Sequence, residues 1–504
     1  MKPTLARHDR LRAAFFPSSV DLKRRVVRGA GYTFFGVAIR IVLTMGSTAV
    51  LARLLMPEDY GLVALASIVT EFAAILNTIS LSAILIQRKR LARIQCDTVF
   101  WFTVGMGVVA VFVLVAFAPL FARLLDDIRI VPLLRAMSIL FLVEQLMVIQ
   151  HVTMMRLMMF DLDLKVQVSA LLARITVSIV GASLGWGPWA LVAGSLAGTF
   201  LSVAYMWHAI PYRPRRRFQW SFLAANMKTS ASMLGNGVMA YALGNIDYVI
   251  VGRRFGATEL GFYQAAASLA AELRNRLAAP LQKVLFPAYS LVHGERERFE
   301  RGVTTSLLLL ASAVAPLGFG LSAVASEVIS IIYGEKWLPA IPLLQALGIA
   351  GAMRAIFGMT NSIFYSINRT DVLFRLTLLG APGRVLMIII GSYWGALGVA
   401  YALTISQFSG FFGGAVAFRL GRIPIRYYWA SLWPPVLSSA AMFVVVTIAR
   451  PVFADYSLAV RAFGLVVIGI LAYFAVLFAV SPHTLREVAS IARAILVRRR
   501  ASEE

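Results

Sequence analysis

The chain has 504 residues, of which 59% are hydrophobic and only 14% charged, with a mean hydropathy of +0.78. A soluble globule of this length has no interior large enough for that much apolar surface, so lipid must be the solvent for most of the chain. The net charge of +24 would suit nucleic acid, but the basic residues lie in short gaps between apolar runs rather than in one basic domain, which excludes nucleic acid as the partner.

In chain order, residues 1–27 read as a basic cytosolic tail, polar for too long to be a signal peptide. Apolar runs of bilayer-spanning length then recur about fourteen times. The expected spans are 28–55, 59–86, 97–123, 131–156, 161–186, 187–210, 222–253, 258–287, 300–332, 340–367, 370–394, 395–419, 426–449 and 457–480. Pro57, Gly185 to Pro188, and Pro339 supply stop signals between them. Alternate gaps are rich in Lys and Arg, such as Lys23 to Arg28, Arg88 to Arg93, Arg213 to Arg217, Arg419 to Arg426 and Arg498 to Arg500. The intervening gaps hold few, so the positive-inside rule places both termini in the cytoplasm.

Three segments recur after about 200 to 210 positions. LARLLMPEDYGL at 51–62 answers to VGRRFGATELGF at 251–262, VPLLRAMSI at 131–139 to IPLLQALGI at 341–349, and WGPWA at 186–190 to WGALG at 394–398. The expected fold is all-α: a polytopic membrane protein of two pseudo-symmetric six-helix bundles (28–210 and 222–420) joined by a basic cytosolic linker (211–221). Two further helices (421–485) and a basic tail (486–504) follow. An even number of helices per repeat relates the halves by an axis along the membrane normal, with a cavity expected between them.

No catalytic constellation is visible: the five histidines are scattered and no nucleotide or hydrolase motif occurs. The chain does not read as an enzyme, and neither metal nor cofactor is expected beyond a coupling proton or sodium ion. Cys96 reads as an inert loop thiol. The informative residues are charges at membrane depth, each needing a partner or a wet cavity at about 2.5 to 3.5 kcal/mol.

Arg40, Arg174 and Arg384 have no partner nearby in sequence, and either bind an anionic substrate or pair with a distant carboxylate. Arg274 joins them as a cavity contact, because it points away from the Glu272–Arg276 pair four residues apart. Arginine in a cavity suits phosphate, since its planar fork binds oxygens bidentately and stays charged. Glu71, Asp247 and Glu272 are candidates for proton or sodium coupling, or simply neutralise arginines. Glu144 and Arg354 occupy matching places in the two repeats with opposite charge. Arg135 and Glu327 lie near outer helix ends, where snorkelling accounts for them. Asp59 and Glu259 should cap the helices that follow each corner, leaving Arg53 and Arg253 at the outer mouth as gate candidates. Asn77, Asn236, Asn245, Asn361 and Gln407 should bind helices together, and the small-residue runs 194–198 and 410–414 should be packing faces. Trp101, Tyr212, Trp220 and Trp433 read as interfacial anchors.

LARLLMPEDYGLVALA at 51–66, SAILIQRK at 82–89, NIDYVIVGRRFGATELGFYQAA at 245–266, PLQKVLFPAYS at 280–290 and YGEKWLPAIPLLQALGI at 333–349 resemble segments of a known family. It is the Wzx-type polysaccharide flippases of the multidrug/oligosaccharidyl-lipid/polysaccharide (MOP) exporter superfamily. The resemblance runs from about Gly29 to Arg419. It implies transfer of an undecaprenyl-pyrophosphate-linked oligosaccharide across the bacterial inner membrane, for exopolysaccharide, capsule or O-antigen. Membrane lipids surround such a protein, and a polysaccharide polymerase and glycosyltransferases are its candidate partners. Where relatives often carry an acid and glycines before the IQRK segment, this chain has Thr78, Ser80 and Ser82, so no role of that acid carries over. The rival readings are a small-molecule cation antiporter of the same superfamily, which should favour acids in its cavity, and a membrane-embedded polysaccharide polymerase, which should carry a large outer loop.

Overall fold

The computed structural model describes residues 22–77, 81–88, 91–273, 281, 285, 289–290, 292, 295–487 and 490. Every regular element among them is helical. The reason is the solvent: in hydrocarbon each backbone N–H and C=O must be satisfied within its own segment. Among the described residues, eight helices are long and apolar enough to cross a membrane, or ten if each of two bent pairs forms one span. The chain is a multi-pass membrane protein. Its outward helix faces carry large apolar side chains, with Phe112, Phe412 and Phe463 each more than two-thirds exposed. The chain packs as two compact units that divide between Gly261 and Phe262.

The first unit opens with α1 (Leu22–Leu54) and α2 (Pro57–Asn77), between which the chain turns through 119°. It continues with α3 (Leu81–Gln87), α4 (Arg93–Leu124), α5 (Ile130–Gln145), α6 (Val148–Arg156), α7 (Phe160–Ser183) and α8 (Pro188–Ala209). The expected span 131–156 is thus a helix bent by 45° between Gln145 and Val148. Cys96 lies buried in the first turn of α4 and not in a loop.

Helices α7 and α8 meet through glycines. A side-chain carbon on Gly194 would stand 2.7 Å from the Arg174 carbonyl oxygen, and one on Gly198 would stand 2.9 Å from that of Ala170. Lipid gives no hydrophobic drive for helix association, so such close backbone approach supplies the packing. The run 194–198 is therefore a packing face. The last element of this unit is the first part of α9 (Trp220–Leu273), a helix broken at Gly256. Gly256 has φ +83°, a conformation that costs a side-chain-bearing residue dearly, and it takes the place that Met56 holds in the first repeat.

The second unit contains the end of α9, then α10 (Arg296–Ala323), α11 (Ala325–Ile332), α12 (Ala340–Ser366), α13 (Thr370–Gly391), α14 (Gly395–Ser406), α15 (Ser409–Leu420), α16 (Ile425–Ala449) and α17 (Leu458–Val480). Its core gathers Val303, Leu307, Ile356, Phe364, Phe418 and Tyr428 from α10, α12, α15 and α16. Gly410 and Gly414 lie against Phe357 and Tyr428, so this run also packs. The last two helices, α16 and α17, seat Met442, Leu465, Tyr473 and Leu477 against Ala323. The Tyr473 hydroxyl donates to the Ser312 carbonyl at 3.0 Å.

Candidate functional site

The duplicated corners are built on opposite answers to one problem, how to start a helix. In the first, Asp59 is the third residue of α2, and its Oδ2 accepts the Met56 backbone N–H at 2.8 Å. That closes an open donor at the helix start, as the sequence suggested. The other Asp59 oxygen would meet a side-chain carbon on Gly187 at 3.1 Å, so the 186–190 corner rests on the same carboxylate. In the second corner the break at Gly256 does the turning.

The two corners also touch each other within the first unit. A side-chain carbon on Gly61 would lie 1.7 Å from the Ala257 carbonyl oxygen, and one on Gly261 would lie 1.9 Å from that of Pro57. Pro57 corresponds to Ala257 and Gly61 to Gly261, so each glycine fits over the first residue of the other's helix. This reciprocity is what a twofold-related pair of helix starts requires. Deeper along α2, the Tyr241 hydroxyl donates to the Ile68 carbonyl at 2.9 Å and reaches Glu71 Oε2 at 3.5 Å. Arg53 and Arg253 are both exposed beside these corners.

A small ionic network braces the first corner from the side. Arg129 holds Glu58 at 2.5 Å and Asp127 at 2.8 Å. Burial works against the Asp127 charge, but the hydrogen bonds and charge of Arg129 outweigh it and hold the carboxyl below the usual Asp range.

The candidate substrate arginines divide between the units. Arg40 on α1 is exposed and donates to the Gln167 side chain on α7. Arg174 lies two turns further along α7, about 10.5 Å on and on nearly the same face. Arg384 sits half-buried on α13. Arg174 and Arg384 each stand 14 residues after the first residue of their helix, Phe160 and Thr370. They lie 210 positions apart in the sequence, each about 21 Å along its helix from the start. Their matching positions are not legible in the sequence, because no motif flanks either one.

Of the remaining candidates, Asp247 is buried at 3% exposure, Glu272 and Arg354 are half-buried and Glu144 is exposed. Arg274 and Arg276 lie outside the described residues, so the Glu272–Arg276 pair does too, as do the side chains of Asn77 and Asn236. Asn245 and Gln407 do not make the expected bonds between helices: each donates to a carbonyl one turn back, Tyr241 and Leu403. Among the described residues no group of three metal-ligating side chains occurs.

Two further expectations need correction. Glu327 is not a snorkelling residue: its side chain is 1% exposed and binds Arg461 at 2.8 Å and Arg450 at 3.3 Å. One carboxylate thus ties α11 to the ends of α16 and α17, because a fully buried acid survives only when paired. Nor is Tyr212 an interfacial anchor. It is 1% exposed and donates to the fully buried Asp97 at 2.6 Å. Burial, helped by the bond to Asp97, raises the phenol far above its ordinary range and keeps it a donor.

Residues 50–342 match the profile of the polysaccharide biosynthesis protein family, Polysacc_synt_3. The chain belongs to that family. WzxC of Escherichia coli (strain K12), a lipopolysaccharide biosynthesis protein, is 25% identical over 444 residues, covering 84% of this chain and 88% of its own. ExoT of Rhizobium meliloti (strain 1021), a succinoglycan biosynthesis transport protein, is 24% identical over 374 residues, covering 74% and 76%. Among solved structures, the lipid II flippase MurJ in an inward closed conformation superposes with a TM-score of 0.70 at 16% identity, over 91% of this chain and 100% of MurJ. The fold of this chain is therefore that of MurJ.

Proposed function

We propose that this protein is a flippase that moves an undecaprenyl-pyrophosphate-linked oligosaccharide across the bacterial inner membrane for the synthesis of a surface polysaccharide. The observation that carries the reading is the relationship to WzxC over 84% of the chain. The family match, the transport role in the name of ExoT and the flippase fold support it. The protein is a transporter and makes or breaks no covalent bond. Fourteen spans with both termini in the cytoplasm is the topology most consistent with the alternating charge of the loops.

The substrate is anionic at its pyrophosphate, and the fixed charges of Arg40, Arg174 and Arg384 suit it. In this reading Arg174 and Arg384 serve the same role in the two repeats, and Gln167 orients Arg40. Arg274 is a further phosphate contact. Glu71, with Tyr241 beside it, is the first candidate for proton or sodium coupling, followed by Asp247 and Glu272. Glu144 and Arg354 remain charge-pairing candidates. The Gly61–Gly261 contact, flanked by Arg53 and Arg253, forms the outer gate. Transport needs only two states whose balance the ligand shifts by differential affinity.

The test is neutralisation. Arg174→Gln and Arg384→Gln should each lower polymer export, and the double variant should abolish it at unchanged membrane abundance. Full export by the double variant would remove the arginines from the mechanism.

A further inference from the structure

Residues 210–219, which join α8 to α9, behave as a docked strap and not as a loose linker. Asp97 accepts the Arg215 backbone N–H at 3.3 Å as well as the Tyr212 hydroxyl. Thr98 accepts the Gln219 N–H at 2.9 Å, and the Trp101 indole donates to the Arg215 carbonyl at 2.9 Å. Arg93 donates to the Arg213 carbonyl at 3.1 Å. The first turns of α4 thus hold the strap at successive points. Arg213 is consumed internally: its guanidinium donates to the carbonyls of Trp207, Ile210 and Tyr212 and lies over the Trp207 ring.

The positive-inside rule requires charge in this gap but requires no such order. What the strap presents is specific. Arg215, Arg216 and Arg217 are exposed, and among the described residues no side chain pairs with their guanidinium groups. The backbone turns back on itself there, the Arg217 N–H reaching the Arg215 carbonyl at 2.8 Å. Immediately afterwards Phe218 and Trp220 stack on each other at 6.1 Å while staying 46% and 68% exposed. Three unpaired arginines beside two exposed aromatics, at the level where a helix leaves the membrane, match the chemistry of a phospholipid interface. There, phosphates meet guanidinium groups and aromatic rings sit at the headgroup boundary.

We infer that the 215–220 segment is a binding site for anionic phospholipid headgroups of the cytoplasmic leaflet, with Arg215–Arg217 as phosphate contacts and Phe218 and Trp220 as the interfacial wedge. Asp97 and Tyr212 are positioning residues that hold the segment at the membrane surface. The site rests on the cytosolic placement of the strap proposed above. A thiol introduced by Arg216→Cys in a Cys96→Ser chain reports that placement separately, since an impermeant maleimide should label it from the cytosolic side alone. Labelling from the outside would overturn the topology and the site together.

Lipid preference is read from the full-length protein in bilayers containing spin-labelled phosphatidylglycerol or phosphatidylcholine. The wild type should select phosphatidylglycerol. The Arg215→Gln/Arg216→Gln/Arg217→Gln triple should lower that selectivity about fivefold or more, the worth of at least one surface arginine. Arg419→Gln/Arg422→Gln/Arg426→Gln removes the same charge elsewhere and should leave most of the selectivity in place. Tyr212→Phe should lower it at unchanged charge, as should Trp220→Ala. Equal loss in the two triples would reduce the effect to overall charge and overturn the site, as would unaltered selectivity in the strap triple. If that triple stopped export without touching lipid selectivity, the patch would serve a protein partner and the inference would fail.

Discussion

Replacing Gly61 by alanine adds one methyl group, whose carbon would stand 1.7 Å from the Ala257 carbonyl oxygen and 2.5 Å from its carbon. Atoms in ordinary contact sit about 3.5 Å apart, so α2 and the start of the 257–273 helix must part by roughly 1.8 Å. The obstacle is backbone on both sides, and no rotamer can relieve it. Overpacking of this kind costs about 1–3 kcal/mol. If only the state with the corners in contact bears that cost, the balance of states moves by roughly 5- to 150-fold away from it. Gly261→Ala should act in the same direction, its carbon falling 1.9 Å from the Pro57 oxygen. Gly46→Ala on α1, with nothing within 4 Å, is the matched control.

The assay uses Leu65, one turn deeper on α2 and 0% exposed. In a Cys96→Ser background, Leu65→Cys should react slowly with an impermeant maleimide applied from outside. Adding Gly61→Ala or Gly261→Ala should speed the reaction at least several-fold, with Gly46→Ala unchanged. Labelling at the parental rate in both corner variants, with transport intact, would show that the contact closes nothing.

Other outcomes follow from the same structure. Glu327→Gln leaves Arg450 and Arg461 without their carboxylate, and thermal unfolding in detergent should show a loss of about 3–5 kcal/mol, nearer the low end because both arginines are partly exposed; an unchanged Tm would show that the triad does not hold α16 and α17. Arg174→Lys should retain part of the export that Arg174→Gln loses, since charge survives without the planar fork; equal loss in both would point to packing against α8. The Asp127 carboxyl has a folded value below its unfolded one, so its contribution is full above the ordinary Asp range and disappears as pH falls through the depressed value. Arg129→Gln should therefore destabilise by less than about 1 kcal/mol at neutral pH, these groups being partly exposed. That difference should vanish in acid; a difference that persists or grows there would refute the assignment.

The positions of the apolar helices were largely legible, although the runs expected as single spans at 300–332 and 395–419 are each divided, between Ala323 and Ala325 and between Ser406 and Ser409. The run expected at 340–367 is a helix from Ala340 to Ser366, and that expected at 426–449 runs from Ile425 to Ala449. Lipid enforces this legibility, because an interrupted apolar run leaves backbone groups unsatisfied. The repeated corners were equally plain, and Asp59 caps as its position implied. Their mutual contact was not readable, since glycine carries no periodic signal and the partner lies about 200 residues away. The same distance hid the partners of Glu327, which hydropathy alone assigned to a helix end. Tyr212 was misread for a related reason: an aromatic at a span boundary looks alike whether it faces headgroups or a buried aspartate on another helix.

The central claim is movement of a lipid-linked oligosaccharide between leaflets, and it is tested most directly by following that lipid. In cells lacking this protein and any backup exporter, the undecaprenyl-pyrophosphate-linked oligosaccharide should accumulate where an impermeant glycan-modifying reagent added outside cannot reach it. Restoring the chain should bring it to the outer face, and restoring the Arg174→Gln/Arg384→Gln variant should not. If the lipid-linked oligosaccharide reaches the outer face at the normal rate without the protein, the account is wrong.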